Sequence, residues 1–193
     1  MNPSTDKKTI RKRMKNVRQQ LDFGQYRKLC NDVIGRCMEL KEFQNASMVH
    51  IYVSAINNEV DTLGLIFSLL DKGKCVIVPQ CGQNIRKFNN ISITSLSELI
   101  PSKFGLMEPE YNPEREISPE ELELVIAPLL AFDRSGGRLG FGGGCYDSLL
   151  SMCTCSKIGL GYSFQEVDNV PMEPHDQRLD IIITEKETIR VRK

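Results

Sequence analysis

Leu124-Val125-Ile126-Ala127-Pro128-Leu129-Leu130-Ala131 runs, after a short break, into Gly136-Gly137-Arg138-Leu139-Gly140-Phe141-Gly142-Gly143-Gly144-Cys145-Tyr146-Asp147. The first run is apolar almost throughout and reads as the end of a buried strand over 122–131. In the second, six of twelve residues are glycine. Glycine is costly to order, so a folded chain keeps such a run where side chains would obstruct an approach to the backbone. Cys145 to Met152 can then start a helix, with Asp147 in its first turn. Strand, glycine loop and helix form the layout that points backbone N–H groups at an anion.

Working outward, the same alternation recurs. Asp6, with Ser4 and Thr5, can cap a first helix in which Ile10, Met14, Val17 and Leu21 make an apolar stripe. Phe23-Gly24 is expected to stop it, and a second helix to run from Gln25 to Lys41. Residues 47–53 and 75–78 read as strands, the second stopped by Pro79, with a helix between them that Asp61-Thr62 caps. Two short strands are expected over 85–94, an irregular surface connection over 101–120, and strands over 157–162 and 179–184. Strands alternating with helices imply an α/β fold: a mainly parallel sheet with helices on both faces, in one domain spanning 1–193. Ligands of such sheets bind at the carboxyl ends of the strands, so the loops after Val53, Val78, Ala131 and Tyr162 should share one rim.

Composition narrows the function. The chain has 193 residues, and 25 basic side chains balance 25 acidic ones. Zero net charge argues against a nucleic-acid coat protein. No apolar stretch approaches a membrane span, and no apolar region follows the basic N-terminus as in a secretory signal. Seven scattered cysteines without a C-x-x-C pair, and only His50 and His175, do not make a structural zinc site. They suit free thiols in the cytoplasm.

Each candidate site has a bland alternative. The glycine run could be a flexible turn. Arg138, a planar fork of donors, and Asp147, an acceptor suited to Mg²⁺, favour a nucleotide phosphate. No Gly-Lys-Ser/Thr closes the loop, so it is not a Walker A, and it comes too late in the chain for a dinucleotide fingerprint. Lys7, Arg11, Lys15 and Arg18 could be a solvated helix face; alternatively Lys7 and Arg11 reach the phosphates. Glu59 could be a surface acid, or could bind an amino-bearing heterocycle. Asp180, in an apolar run, needs a partner or a cation. His175 is weak as a metal ligand, having no second histidine nearby.

Arg138 to Asp147 resembles the R-L-G-x-G-x-G-Y-Y-D signature of the 5-formyltetrahydrofolate cyclo-ligase family. Lys7-Lys8-Thr9-Ile10-Arg11, Glu59-Val60-Asp61-Thr62, Ala127 to Asp133, Gly161 to Gln165 and Pro174-His175-Asp176 are similar to further family segments, in order. The resemblance implies a fold like that of the ribose-phosphate isomerase and coenzyme A transferase group. It also implies conversion of 5-formyltetrahydrofolate, ATP and Mg²⁺ to 5,10-methenyltetrahydrofolate, ADP and phosphate, through phosphorylation of the formyl oxygen, by a cytoplasmic monomer. On that basis Arg138 and Lys7 are catalytic. Lys7, Lys8, Arg11, Arg138, Gly140, Gly142, Gly143, Gly144, Cys145 and Tyr146 bind ATP. Val53, Glu59, Phe141 and Gly142 to Cys145 face the folate, and Asp147 and Asp180 hold Mg²⁺. Two positions depart from the pattern: Cys145 stands where tyrosine is usual, and Asn57-Asn58 precede Glu59. A relative that binds folate or nucleotide without catalysis is the competing expectation.

Overall fold

In chain order the elements are α1 (Lys7–Gln19), α2 (Phe23–Glu39), α3 (Lys41–Asn45), β1 (Met48–Ile51), α4 (Leu63–Asp71), β2 (Cys75–Cys81), β3 (Phe88–Ile93), β4 (Ile100–Pro101), β5 (Met107–Glu108), β6 (Leu124–Pro128), β7 (Ala131–Phe132), β8 (Arg138–Leu139), α5 (Cys145–Met152), β9 (Ser156–Leu160), β10 (Ile181–Ile183) and β11 (Thr188–Arg190). This computed structural model describes residues 6–55, 57–81, 87–102 and 105–192. Ser4, Thr5 and Ile85, which entered the expectations above, lie outside the described residues.

The main sheet has the order β11-β10-β9-β6-β1-β2-β3. Its five inner strands, β10, β9, β6, β1 and β2, are parallel, and β11 and β3 pair antiparallel at the two edges. The inner strands are apolar on both faces, as a doubly covered parallel sheet requires. On one face α2 and α4 bury Val33, Cys37, Leu65, Ile66 and Leu69 against Val49, Ile51, Val76, Leu124 and Ile126. On the other, Leu149 and Leu150 of α5 pack on Val125, Ala127 and Ile182. The expected α/β architecture is therefore present. Among the described residues no helix is long and apolar enough to cross a membrane.

Several boundaries differ from the sequence expectations. Phe23-Gly24 opens α2 instead of stopping α1. Asp22 caps α2 in a reciprocal pair with Gln25, which satisfies two of the helix's first donors. Pro79 does not stop β2, because pairing with β1 ends at His50↔Ile77 and no neighbour on that side needs its N–H. One strand, β3, occupies the region expected to hold two. The strand expected to reach Ala131 breaks after Pro128, and the chain re-pairs as the β7–β8 hairpin. Asp133 shapes that hairpin's turn: Oδ1 accepts the Ser135 and Gly137 N–H groups, and Oδ2 accepts the Val170 N–H. α1 lies across the hairpin through Ile10 and Met14.

Candidate active site

The glycine run does two jobs. Gly136 and Gly137 belong to the β7–β8 turn, while Gly140 to Gly144 form one wall of a cavity of about 550 Å³. This cavity opens beyond the carboxyl ends of β1, β2 and β6, where Val53, Pro79, Cys81 and Pro128 line it. That is where ligands of parallel sheets bind.

Two of these glycines leave room for arginine side chains. Gly142 has φ +110°, and a Cβ there would lie 3.3 Å from the Arg11 guanidinium carbon. A Cβ on Gly140 would lie 2.9 Å from Arg138 Nη1. Arg11 is itself fixed, donating from Nε to the Gly140 carbonyl at 2.9 Å. Gly144, also left-handed, caps α5 without a side chain. Gly144 thus offers no side-chain cap at the positive end of the helix.

Arg138 comes from β8 and is 5% exposed. Its Nη2 donates to Asp147 Oδ1 at 2.8 Å and its Nη1 to the Pro128 carbonyl at 3.4 Å, while Nε is buried with no partner among the described residues. A buried guanidinium with one donor unmade is costly, and it lines the cavity. Asp147 Oδ1 also accepts the Gln177 N–H, whereas Oδ2 accepts no hydrogen bond among the described residues. Lys7 lines the same wall, bonded to Glu173 and Asp176. Burial lowers the proton affinity of its ammonium, but the bonds to Asp176 and Glu173 outweigh that and hold its pKa above the ordinary lysine value. Lys8 is exposed and does not line the cavity.

A less polar wall holds Tyr52, Val53, Phe88, Leu106, Met107, Leu139 and Phe141, with two buried acids, Glu59 and Glu108. Glu59 is set by the turn before it. Asn57 and Asn58 have φ +53° and +49°, a region asparagine tolerates better than most residues. Arg18 Nε donates to the Asn57 carbonyl at 2.6 Å, Asn58 Nδ2 donates to the Arg18 carbonyl at 2.9 Å, and Glu59 Oε1 accepts the Ala55 N–H at 2.9 Å. Arg18, expected on a solvated face, is fully buried. Cys145 and Tyr146 line the wall between loop and helix. Burial pushes the Cys145 thiol above its ordinary value, so the helix start does not acidify it.

The structure thus brings together Lys7, Arg11, Val53, Glu59, Arg138, Gly140 to Tyr146 and Asp147. It separates the two acids expected to share Mg²⁺. Asp180 sits at the amino end of β10, where Oδ2 accepts the Lys157 N–H at 3.0 Å, and it does not line the cavity. An aspartate in an apolar run needed a partner, and it has a backbone one. Sequence reasoning missed Glu108, Glu173 and Asp176. Leu106 to Glu108 fall in the segment expected to be a surface connection, and their local pattern carries no signal of the cavity.

The 5-formyltetrahydrofolate cyclo-ligase family model matches residues 3–185. The 5-formyltetrahydrofolate cyclo-ligase of Haemophilus influenzae is 32% identical over 183 residues, covering 90% of this chain and 95% of its own. That of Escherichia coli is 30% identical over 182 residues, covering 90% and 94%. The solved structure of Aquifex aeolicus 5,10-methenyltetrahydrofolate synthetase superposes with a TM-score of 0.85 at 34% identity, covering 97% of this chain and 93% of that one. The family match and the likeness in sequence and fold agree, and the chain belongs to the 5-formyltetrahydrofolate cyclo-ligase family.

Proposed function

We propose that the chain catalyses the ATP- and Mg²⁺-dependent cyclisation of 5-formyltetrahydrofolate to 5,10-methenyltetrahydrofolate, releasing ADP and phosphate. The observation that carries this reading is Arg138: a buried guanidinium whose Nε has no partner among the described residues, on a cavity walled by Gly140, Gly142, Gly143 and Gly144. A phosphate oxygen supplies the missing acceptor, and glycines let it approach the backbone. The membership established above, in a family of cyclo-ligases, supports the same substrate.

The chemistry asked of these residues is charge management. A formamide oxygen is a poor leaving group. Transfer of the γ-phosphoryl group to it forms an O–P bond and releases ADP. The second folate nitrogen then attacks the activated carbon, and the C–O bond breaks with loss of phosphate. Phosphoryl transfer needs positioning and neutralisation more than a protein nucleophile. Lys7, Arg11 and Arg138 supply positive charge. Gly140 to Tyr146 supply backbone donors and room. Asp147, with Oδ2 unused, suits Mg²⁺, which when bound offsets phosphate charge. Buried Glu59 accepts hydrogen bonds from the pterin ring, and Val53 and Phe141 pack against the folate. The chain acts as a cytoplasmic monomer, in keeping with seven free cysteines.

The test is ultraviolet absorbance of methenyltetrahydrofolate, followed with pure protein and 5-formyltetrahydrofolate. The expected outcome is a rise that needs both ATP and Mg²⁺. Folate and nucleotide binding without that rise would establish the non-catalytic alternative.

A further inference from the structure

Arg18 stands on the buried stripe of α1 with Ile10 and Met14, is fully buried, and does not line the cavity. An arginine in that place is costly unless its donors and its charge are met. Its donors reach the backbone behind the less polar wall. Nε donates to the Asn57 carbonyl at 2.6 Å and Nη1 to the Leu129 carbonyl at 3.4 Å. The grip is mutual: Asn58 Nδ2 donates to the Arg18 carbonyl at 2.9 Å, and Gln19 Nε2 donates to Asn57 Oδ1 at 3.1 Å. The guanidinium carbon also lies 6.0 Å from the centre of the Phe141 ring, over which Lys15 Nζ sits at 5.3 Å. Glu59 directly follows the clamped turn, and both Glu59 and Phe141 line the cavity.

Charge adds to this geometry. Burial lowers the pKa of Arg18 and the Glu59 carboxylate acts against that, with Tyr52, Tyr162 and Tyr26 as the other ionisable groups facing the guanidinium. Tyr26, Tyr52 and Tyr146 in turn face Glu59. Arg138, on the Tyr146 ring, is already paired with Asp147. Phenols are neutral near pH 7, so within this cluster the Glu59 charge is met by Arg18. An ionised carboxylate accepts from two neighbouring N–H groups, as on the amino-bearing edge of a pterin, and a buried one keeps its charge only against a cation. Resting on the folate reading above, we infer that Arg18 is a positioning residue for Glu59: without touching the substrate, it fixes the Asn57–Asn58 turn and supplies the countercharge that together present Glu59 to the pterin ring.

The two ends of α1 serve different substrates. Lys7 and Arg11, near its start, line the cavity themselves, for phosphate in the reading above, whereas Arg18, near its end, backs Glu59. A loosened helix would therefore raise both KM values, and a misplaced Glu59 only the one for folate. The experiment is steady-state kinetics on Arg18→Met, Arg18→Lys, Glu59→Gln and the Arg18→Met/Glu59→Gln double variant, with calorimetric titration of 5-formyltetrahydrofolate into each protein without ATP. Loss of a charged contact predicts a folate KM and Kd raised about tenfold in Arg18→Met, with the ATP KM changed less than about twofold. Arg18→Lys keeps the charge without the planar fork and should fall between wild type and Arg18→Met. In the Glu59→Gln background, Arg18→Met should add no more than about threefold, because the group it acts through is gone. Equal effects on both KM values, an unchanged folate Kd in Arg18→Met, or full additivity in the double variant would each overturn the inference. Should Arg18→Met not fold, Arg18→Lys, alone and combined with Glu59→Gln, carries the same comparison. Failure of the functional reading shows differently, as wild-type protein that binds 5-formyltetrahydrofolate without ATP-dependent turnover, and the Kd comparison then still tests Arg18.

Discussion

At the scale of single residues, chemistry was legible where a residue type has few uses. An arginine inside a glycine run and an aspartate at a helix start pointed to phosphate and cation, and the structure joins them at 2.8 Å. Replacing Arg138 with alanine removes the central donor, and a loss of about 10²–10³ in kcat/KM is expected. Asp147→Ala should lose activity on a similar scale while leaving Arg138 buried without its ion-pair partner. Kinetics and circular dichroism on both variants check this, and full activity in either would misplace the phosphate site. Surroundings, by contrast, could not be read. Arg18 has the helical spacing of a solvated stripe, yet Asn57 and Leu129 carbonyls from distant segments take its donors. Cys145 shows two effects in competition: a helix start favours the thiolate, and burial, the larger effect, disfavours it.

At the scale of elements, hydrophobic runs located every inner strand, because a doubly covered parallel strand is apolar along its whole length. Edge strands β3 and β11 carry mixed patterns and took shape only through their neighbours. The Asp22–Gln25 capping pair was visible in principle, yet Phe23-Gly24 read as a stop, since glycine's helix penalty is outweighed once the cap is satisfied. The glycine loop is the element whose geometry matters most. Gly142→Ala forces a side chain onto a left-handed backbone beside Arg11, at a cost of about 1–2 kcal/mol. The strain falls where α1 meets the loop. The fold should survive, with a modestly lower Tm and a clearly raised ATP KM, measured by thermal unfolding and kinetics. An unchanged KM would show that the loop does not cradle phosphate.

At the scale of the whole molecule, the sheet could be argued from sequence and the closing of the cavity could not. The wall from 106–108, and the 173–176 turn that grips Lys7, depend on contacts between remote segments. The sheet also buries a titratable group behind the cavity lining, against Phe88 and Tyr146. His50 on β1 is fully buried, stacked on Phe88 at 5.5 Å, with neither ring nitrogen bonded among the described residues. Burial holds its pKa at about 3, below the ordinary 6.5. The unfolded chain therefore takes up a proton below pH 6.5 that the folded chain refuses until about pH 3. Stability from this group is complete above pH 6.5 and falls as pH drops toward 3. Between pH 7 and pH 5 the loss is about 2 kcal/mol. Urea unfolding at both values should show a smaller loss in His50→Leu than in wild type by that amount, and equal losses would contradict it.

If this cavity moves a phosphoryl group onto the formyl oxygen, that oxygen departs with phosphate. One measurement addresses it: turnover of 5-formyltetrahydrofolate carrying ¹⁸O in the formyl group, with mass analysis of the released inorganic phosphate. Each phosphate released is expected to carry one ¹⁸O. Methenyltetrahydrofolate formed alongside unlabelled phosphate would contradict it.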